Sequence, residues 1–273
     1  MLLQLQDTED VKFMSNSYFD NNVFNKGKAF IPFITAGYPT LKDTERFILK
    51  MEEAGADLIE IGIPFSDPIA EGPVIQNASA IALKNGATLD KIFDMVKNLR
   101  EKTNVPLVFM SYVNPLFVSG YDNFFEKCNK LNIRGVILPD VPFEEKYEID
   151  ETAKKYDVEI ISLIAPTSND RIKMIAEASR GFIYIVSSLG VTGVRNEITT
   201  DLSAINDVIR QTTITKTAIG FGISNPNQAK EIAEYADGVI VGSAIIKIID
   251  NLGSNSDNEI YNFVKEMKTA INS

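Results

Sequence analysis

The stretch DLIEIG, residues 57–62, is apolar and β-branched except for one acid at its centre. Read as a strand, its side chains alternate between faces, with Leu58, Glu60 and Gly62 on one side and Ile59 and Ile61 on the other. Working outward, seven further runs have the same character: FIPFIT from Phe30, PLVFMSY from Pro106, RGVILP from Arg134, VEIISLI from Val158, GFIYIVS from Gly181, KTAIGFG from Lys216 and DGVIVG from Asp237. Each is followed by an amphipathic, charged stretch. Near-continuous apolar strands alternating with helical patterns imply βα units and a parallel sheet covered on both faces. Eight such units in 273 residues predict a (β/α)8, or TIM, barrel rather than an open sheet. The start-to-start separations run from 21 to 28 residues, except 49 after the second strand and 35 after the sixth. Long loops are therefore expected at about 63–87 and 187–200. With no linker or low-complexity tract, one domain is predicted: an N-terminal segment, 1–27, carrying a short helix across the barrel bottom, then the barrel itself, 28–273.

Composition narrows the chemistry. Apolar residues make up 45% and charged residues 23%, ordinary for a folded domain with a large core. The charge balance is 27 − 37 = −10, which argues against a nucleic-acid partner. There is no histidine, so Ser-His-Asp and Cys-His machinery and histidine metal sites are excluded, and acid–base work falls to Asp, Glu, Tyr or Lys. The single cysteine, Cys128, shares helical spacing with Phe124, Phe125 and Leu131, which fits packing better than a reactive thiol. No metal site is expected. No apolar run reaches membrane-spanning length, and MLLQLQDTEDVKF has the pattern of neither a signal nor a transit peptide. A soluble protein of a reducing compartment is expected, the bacterial cytoplasm or, for an organelle-encoded copy, the plastid stroma.

Active sites of such barrels form at the C-terminal ends of the strands. The register in DLIEIG points Glu60 into the barrel near that end, among apolar side chains that resist its ionisation and suit it to donate a proton at neutral pH. A structural carboxylate would need a cation, but Arg134 and Lys216 fall at strand starts, the opposite end. The next loop, IPFSDPIAEGPVIQNAS, holds Asp67 and Glu71 and is stiffened by Pro64, Pro68 and Pro73; an inert surface loop is the alternative. Tyr112, Asn114, Asp140 and Tyr184 also reach strand ends, as catalytic groups or as satisfied core groups. GFGISN (residues 220–225) and GSA (residues 242–244) place glycine before a helix after strands seven and eight, where backbone amides and a helix N-terminus bind phosphate. Each alone could be a simple tight turn; together they predict a phosphate site with Ser243 adding a hydroxyl. SSLGVTGVR (residues 187–195), with Thr192 between two glycines, has a closing lid's composition.

A phosphate site with carboxylates suggests carbon–carbon cleavage or isomerisation of a sugar phosphate. No lysine at a strand top disfavours a Schiff-base aldolase, so the substrate must supply its own electron sink, such as an indole ring protonated at carbon 3. The motifs FIPFITAGYP, LIEIGIPFSDPIAEGPVIQ, ILPDVPFEE, SSLGVTG and GFGIS…VGSAI resemble the tryptophan synthase α-subunit family from about Phe30 to Ile249. This resemblance implies a lyase of tryptophan biosynthesis that cleaves indole-3-glycerol phosphate to indole and glyceraldehyde 3-phosphate. It binds no cofactor of its own, and its partner is a pyridoxal-phosphate β subunit in an α2β2 assembly. By the same resemblance Glu60 is the acid/base on the indole carbon and glycerol hydroxyl. Glu71 stands where the family most often has aspartate, facing the indole N–H. Gly193, Gly222, Gly242 and Ser243 would hold the phosphate; Phe33, Met110, Ile137, Tyr184 and Phe221 would surround the indole, and Thr192 would close the lid. Pro64, Asp67 and Asn114 would lie at the β-subunit interface. Two other readings stay open: another phosphate-binding barrel of indole biosynthesis, and a catalytically weak allosteric partner of the β subunit.

Overall fold

A computed structural model of the chain describes residues 17–186, 202–220 and 222–273. Eight parallel strands close into a barrel in sequential order: β1 (Ala29–Thr35), β2 (Ile59–Gly62), β3 (Leu107–Met110), β4 (Ile133–Ile137), β5 (Glu159–Ile164), β6 (Phe182–Val186), β7 (Lys216–Gly220) and β8 (Gly238–Val241). β1 pairs with both β2 and β8, which seals the ring. The expected strands all form, with starts within two residues of those read from the sequence.

The alternation of β2 sorts two apolar layers. Leu58 joins Ile31, Val108, Ile161, Phe182 and Ala218 inside the barrel, while Ile59 and Ile61 join Ile34, Phe109 and Ile183 under the helices. The outer ring comprises α2 (Leu41–Glu53), α4 (Leu89–Arg100), α6 (Tyr121–Lys130), α7 (Lys146–Lys155), α8 (Asn169–Glu177), α9 (Leu202–Thr212), α10 (Pro226–Ala233) and α11 (Ser243–Leu252). A last helix, α12 (Asp257–Ala270), packs on α2 and α10. Starts are written in the sequence: Thr40, Thr88, Ser168 and Asn225 each cap an orphan amide three residues on. Cys128 is fully buried among Phe124 and Phe125.

The segment after β2 corrects one expectation. Only its first part is loop; Pro73–Lys84 is a helix, α3, with Gly72 at its N-cap and Pro73 in the first turn. Proline fits there because the first-turn amides have no helical partner. A short α5 (Val113–Ser119) likewise follows β3. The extra material after β6 lies outside the described residues.

At the N-terminal end of the strands lies α1 (Tyr18–Asn22), with Phe19 packed into the barrel. Phe19 is fully buried with its ring edge-on to Phe182 at 5.4 Å. It occupies the space that side chains at Gly135 and Gly181 would fill, since Cβ atoms there would stand 3.0 and 3.2 Å from its ring. The strand-start cations are engaged here too, Arg134 with Asp157 at 2.5 Å and Lys216 with Asp237 at 3.5 Å.

Candidate active site

At the other end of the barrel a cavity of about 150 Å³ opens between the strand ends and their loops. Its wall includes Phe33, Glu60, Glu71, Met110, Ile137 and Tyr184, together with Gly222, Gly242 and Ser243. Two carboxylates, an apolar slot and two helix entrances thus share one space.

Glu60 sits in the centre of β2, opposite Phe33 of β1 and Val108 of β3. It is 1% exposed, and neither carboxylate oxygen has a hydrogen-bond partner among the described residues. Burial, with a smaller push from the charge of Glu71, raises its pKa to about 8. A carboxyl that is neutral near pH 7 and faces a cavity is equipped to give up a proton there. Among the described residues no group of three or more His, Cys, Asp or Glu is placed to hold a metal ion.

Glu71 closes the loop just before α3 and is 9% exposed. The Tyr112 hydroxyl donates a hydrogen bond to its Oε2. Burial raises the Glu71 pKa, and the bond from Tyr112 works against that rise. Gln76 Nε2 donates to the Glu71 carbonyl at 2.8 Å, fixing the backbone as well. The second carboxylate is therefore held from both ends.

The apolar slot depends on missing side chains. A Cβ at Gly62 would stand 2.5 Å from Cζ of Phe33, and one at Gly220 would stand 2.4 Å from the Tyr184 hydroxyl. Both glycines make room for rings that line the slot. Beside the Phe33 ring, Gly242 and Ser243 open α11, whose first-turn amides have no carbonyl of their own helix to meet. Gly222, left-handed at φ +67°, turns β7 toward α10. Amides and a helix dipole so arranged attract an anion.

Of the residues named from sequence, the cavity brings together Glu60, Glu71, Phe33, Met110, Ile137, Tyr184, Gly222, Gly242 and Ser243. Thr192, Gly193 and Phe221 lie outside the described residues. Asp67 and Asn114 are exposed and Pro64 is buried. Asp140 accepts the Val113 amide at 3.1 Å and so caps α5. Sequence reasoning missed the wall residues Leu163, Ile223 and Ile240. Alternation in β5 and β8, followed to the strand ends as it was in β2, would have found Leu163 and Ile240.

A closed (β/α)8 barrel whose strand-end cavity gathers two carboxylates, an apolar slot and two glycine-marked helix entrances defines the class of protein, a (β/α)8 barrel with paired acids at its mouth. The sequence profile described as the tryptophan synthase alpha chain matches residues 19–272. The chain is 44% identical to the tryptophan synthase alpha chain of Lacticaseibacillus casei over 250 residues, 92% of this chain and 94% of that one. It is 50% identical to that of Lactiplantibacillus plantarum over 228 residues, 83% of this chain and 86% of that one. A chain of the Pyrococcus furiosus tryptophan synthase α2β2 complex superposes with TM-score 0.81 at 34% identity, covering 89% of this chain and 99% of its own length. One from Mycobacterium tuberculosis tryptophan synthase gives 0.84 at 29% identity, covering 93% and 96%. The chain belongs to the tryptophan synthase alpha chain family.

Proposed function

We propose that the chain cleaves indole-3-glycerol phosphate to indole and glyceraldehyde 3-phosphate as the α subunit of an α2β2 tryptophan synthase. The observation that carries this reading is the unpartnered Glu60 carboxyl, which faces the same small cavity as the α11 entrance at Gly242 and Ser243. Between them lies the slot edged by Phe33, Met110, Ile137 and Tyr184, apolar enough for an indole ring.

In this reading the Glu60 proton goes to carbon 3 of the indole, and positive charge develops toward the ring nitrogen. The Glu71 carboxylate meets that charge through the N–H. The bond from carbon 3 to the glycerol chain then breaks, its electrons returning to the ring. The hydroxyl on the departing carbon loses its proton to the Glu60 carboxylate and becomes the aldehyde. Gly222, Gly242 and Ser243 hold the phosphate through amides and a hydroxyl. This division of labour suits two acids in unlike surroundings, one neutral by burial and one held by a donor.

The indole passes to a β subunit that supplies pyridoxal phosphate for the second half-reaction. Asp67 and Asn114 are exposed on the mouth side of the barrel, on the loop after β2 and on α5. The same two segments carry large exposed apolar side chains, Ile69 (73%), Phe117 (70%) and Val118 (77%), as a partner surface would. No helix of the described residues is long and apolar enough to cross a membrane. The bacterial relatives support a cytoplasmic setting.

The test is to incubate the purified chain with indole-3-glycerol phosphate, with and without a β subunit, and measure released indole. Slow release alone and faster release in the complex are expected. No indole under either condition would overturn the reading.

A further inference from the structure

Tyr112 takes no direct part in the cleavage described above, yet it is 3% exposed and every hydrogen bond of its hydroxyl goes to one short loop. Its hydroxyl donates to Glu71 and accepts the backbone amides of Ile69 and Ala70, each at 2.8 Å. One oxygen therefore binds three consecutive residues, the last of which carries the second carboxylate. The ring is clamped as well. Phe65, at the other end of the same loop, stacks on it with centroids 4.9 Å apart and planes 24° from parallel. Tyr112 is also the residue from which α5 starts, and the next amide, Val113, is anchored by Asp140. The phenol is fixed on the β3 side and the loop hangs from it.

We propose that Tyr112 is the positioning residue for Glu71, aiming its carboxylate into the cavity. The inference rests on the assignment of Glu71 to the indole nitrogen. A carboxylate on a loop has many rotamers, and a shift near 1 Å costs roughly 100-fold where the geometry of reaction is fixed. Glutamate carries one more rotatable bond than aspartate, so it needs an external tether more. The hydroxyl supplies one, and its two accepted amide bonds make it a better donor to the carboxylate. The groups that bear on the ionisation of Glu71 are Tyr112 itself after β3, Glu60 on β2 and Asp140 after β4. Tyr112 is the largest influence favouring the charged form, with the backbone amides of Glu71 and Ala70 behind it, and burial and Asp140 oppose them.

The test compares Tyr112→Phe, Glu71→Asp and the double variant, all as α2β2 complexes, with the Glu71 carboxyl followed by carbon-13 NMR in glutamate-labelled protein and assigned by its absence in Glu71→Gln. Removing one oxygen leaves the ring packing intact; Phe65→Ala, which removes the stacked ring and spares the hydroxyl, is the second variant. Tyr112→Phe is expected to lower kcat by about 10- to 100-fold with little change in KM, and to move the Glu71 titration to higher pH. The same change in the Glu71→Asp background should cost less, because the shorter carboxylate sits back from the hydroxyl. Phe65→Ala should lower kcat in the same direction by a smaller factor. An unmoved Glu71 titration, or an equal loss in both backgrounds, would overturn the role of Tyr112. Full activity of Glu71→Ala would instead remove Glu71 from the chemistry, and with it the reading on which this inference stands.

Discussion

Glu60 and Glu71 reach the same cavity from consecutive segments, and the charge of Glu71 adds to burial in raising the Glu60 carboxyl to about 8. Glu60 must carry a proton to donate it, whereas Glu71 must be ionised to meet the ring nitrogen. The pH profile of kcat/KM is therefore expected to be bell-shaped, its alkaline limb falling above about pH 8 as Glu60 ionises. Indole release by the wild type across pH checks the limb. Glu71→Gln removes a repelling charge and should lower the Glu60 pKa; carbon-13 titration of the Glu60 carboxyl in both proteins checks this, and a midpoint unmoved in Glu71→Gln would remove the coupling.

Glu60→Gln keeps the volume and removes the acid. Indole release should fall by at least ~100-fold, with the melting transition intact. The stability effect has a sign. The Glu60 pKa rises from 4.5 to about 8 on folding, so between those values the folded chain holds a proton that the unfolded chain releases. That contribution is complete below pH 4.5 and lost as pH climbs through 8, so the wild type weakens progressively across the window. Glu60→Gln should not. Urea melts of both proteins at pH 5 and pH 8 measure the difference.

Glu71→Ala should abolish cleavage, while Glu71→Asp should retain most of it, since aspartate keeps the charge and, with one rotatable bond fewer, depends less on a tether. Steady-state kinetics on the two variants decide between a functional carboxylate and a loop acid of no consequence.

Ser243→Asp puts a carboxylate on the first residue of α11. The helix itself gains about 0.3–1 kcal/mol from charge–dipole attraction, but a phosphate is repelled from the same amides. KM for the phosphate substrate should rise at least about tenfold with thermal stability unchanged or higher. Inorganic phosphate should inhibit the wild type competitively and this variant much less.

Gly62→Ala drives a methyl into the Phe33 ring, whose nearest atom would lie 2.5 Å away. The ring must swing into the slot, at a cost of about 1–3 kcal/mol in stability. KM for the indole-bearing substrate should rise, with inhibition by inorganic phosphate preserved. Equal weakening of both would show general disruption of the site.

Much of this was legible in the residues, for reasons that differ by element. The alternation in β2 placed Glu60 inside the barrel because a strand has only two faces and the isoleucines claim the outer one. The glycine turns at Gly222 and Gly242 were visible because a backbone approach leaves a compositional trace. The start of α3 was hidden by the prolines and acids around it, although Gly72 followed by Pro73 fits a helix entrance. The hold of Tyr112 on Glu71 left no local trace at all. It joins residues 41 apart that meet only once the barrel has closed.

Phe19 and its neighbours fill the base of the barrel, so the reaction chamber is a cul-de-sac. Among the described residues no passage runs down through that base, which leaves the strand-end side for traffic. A subunit seated on that rim would govern both the admission of substrate and the direction in which a small aromatic product escapes.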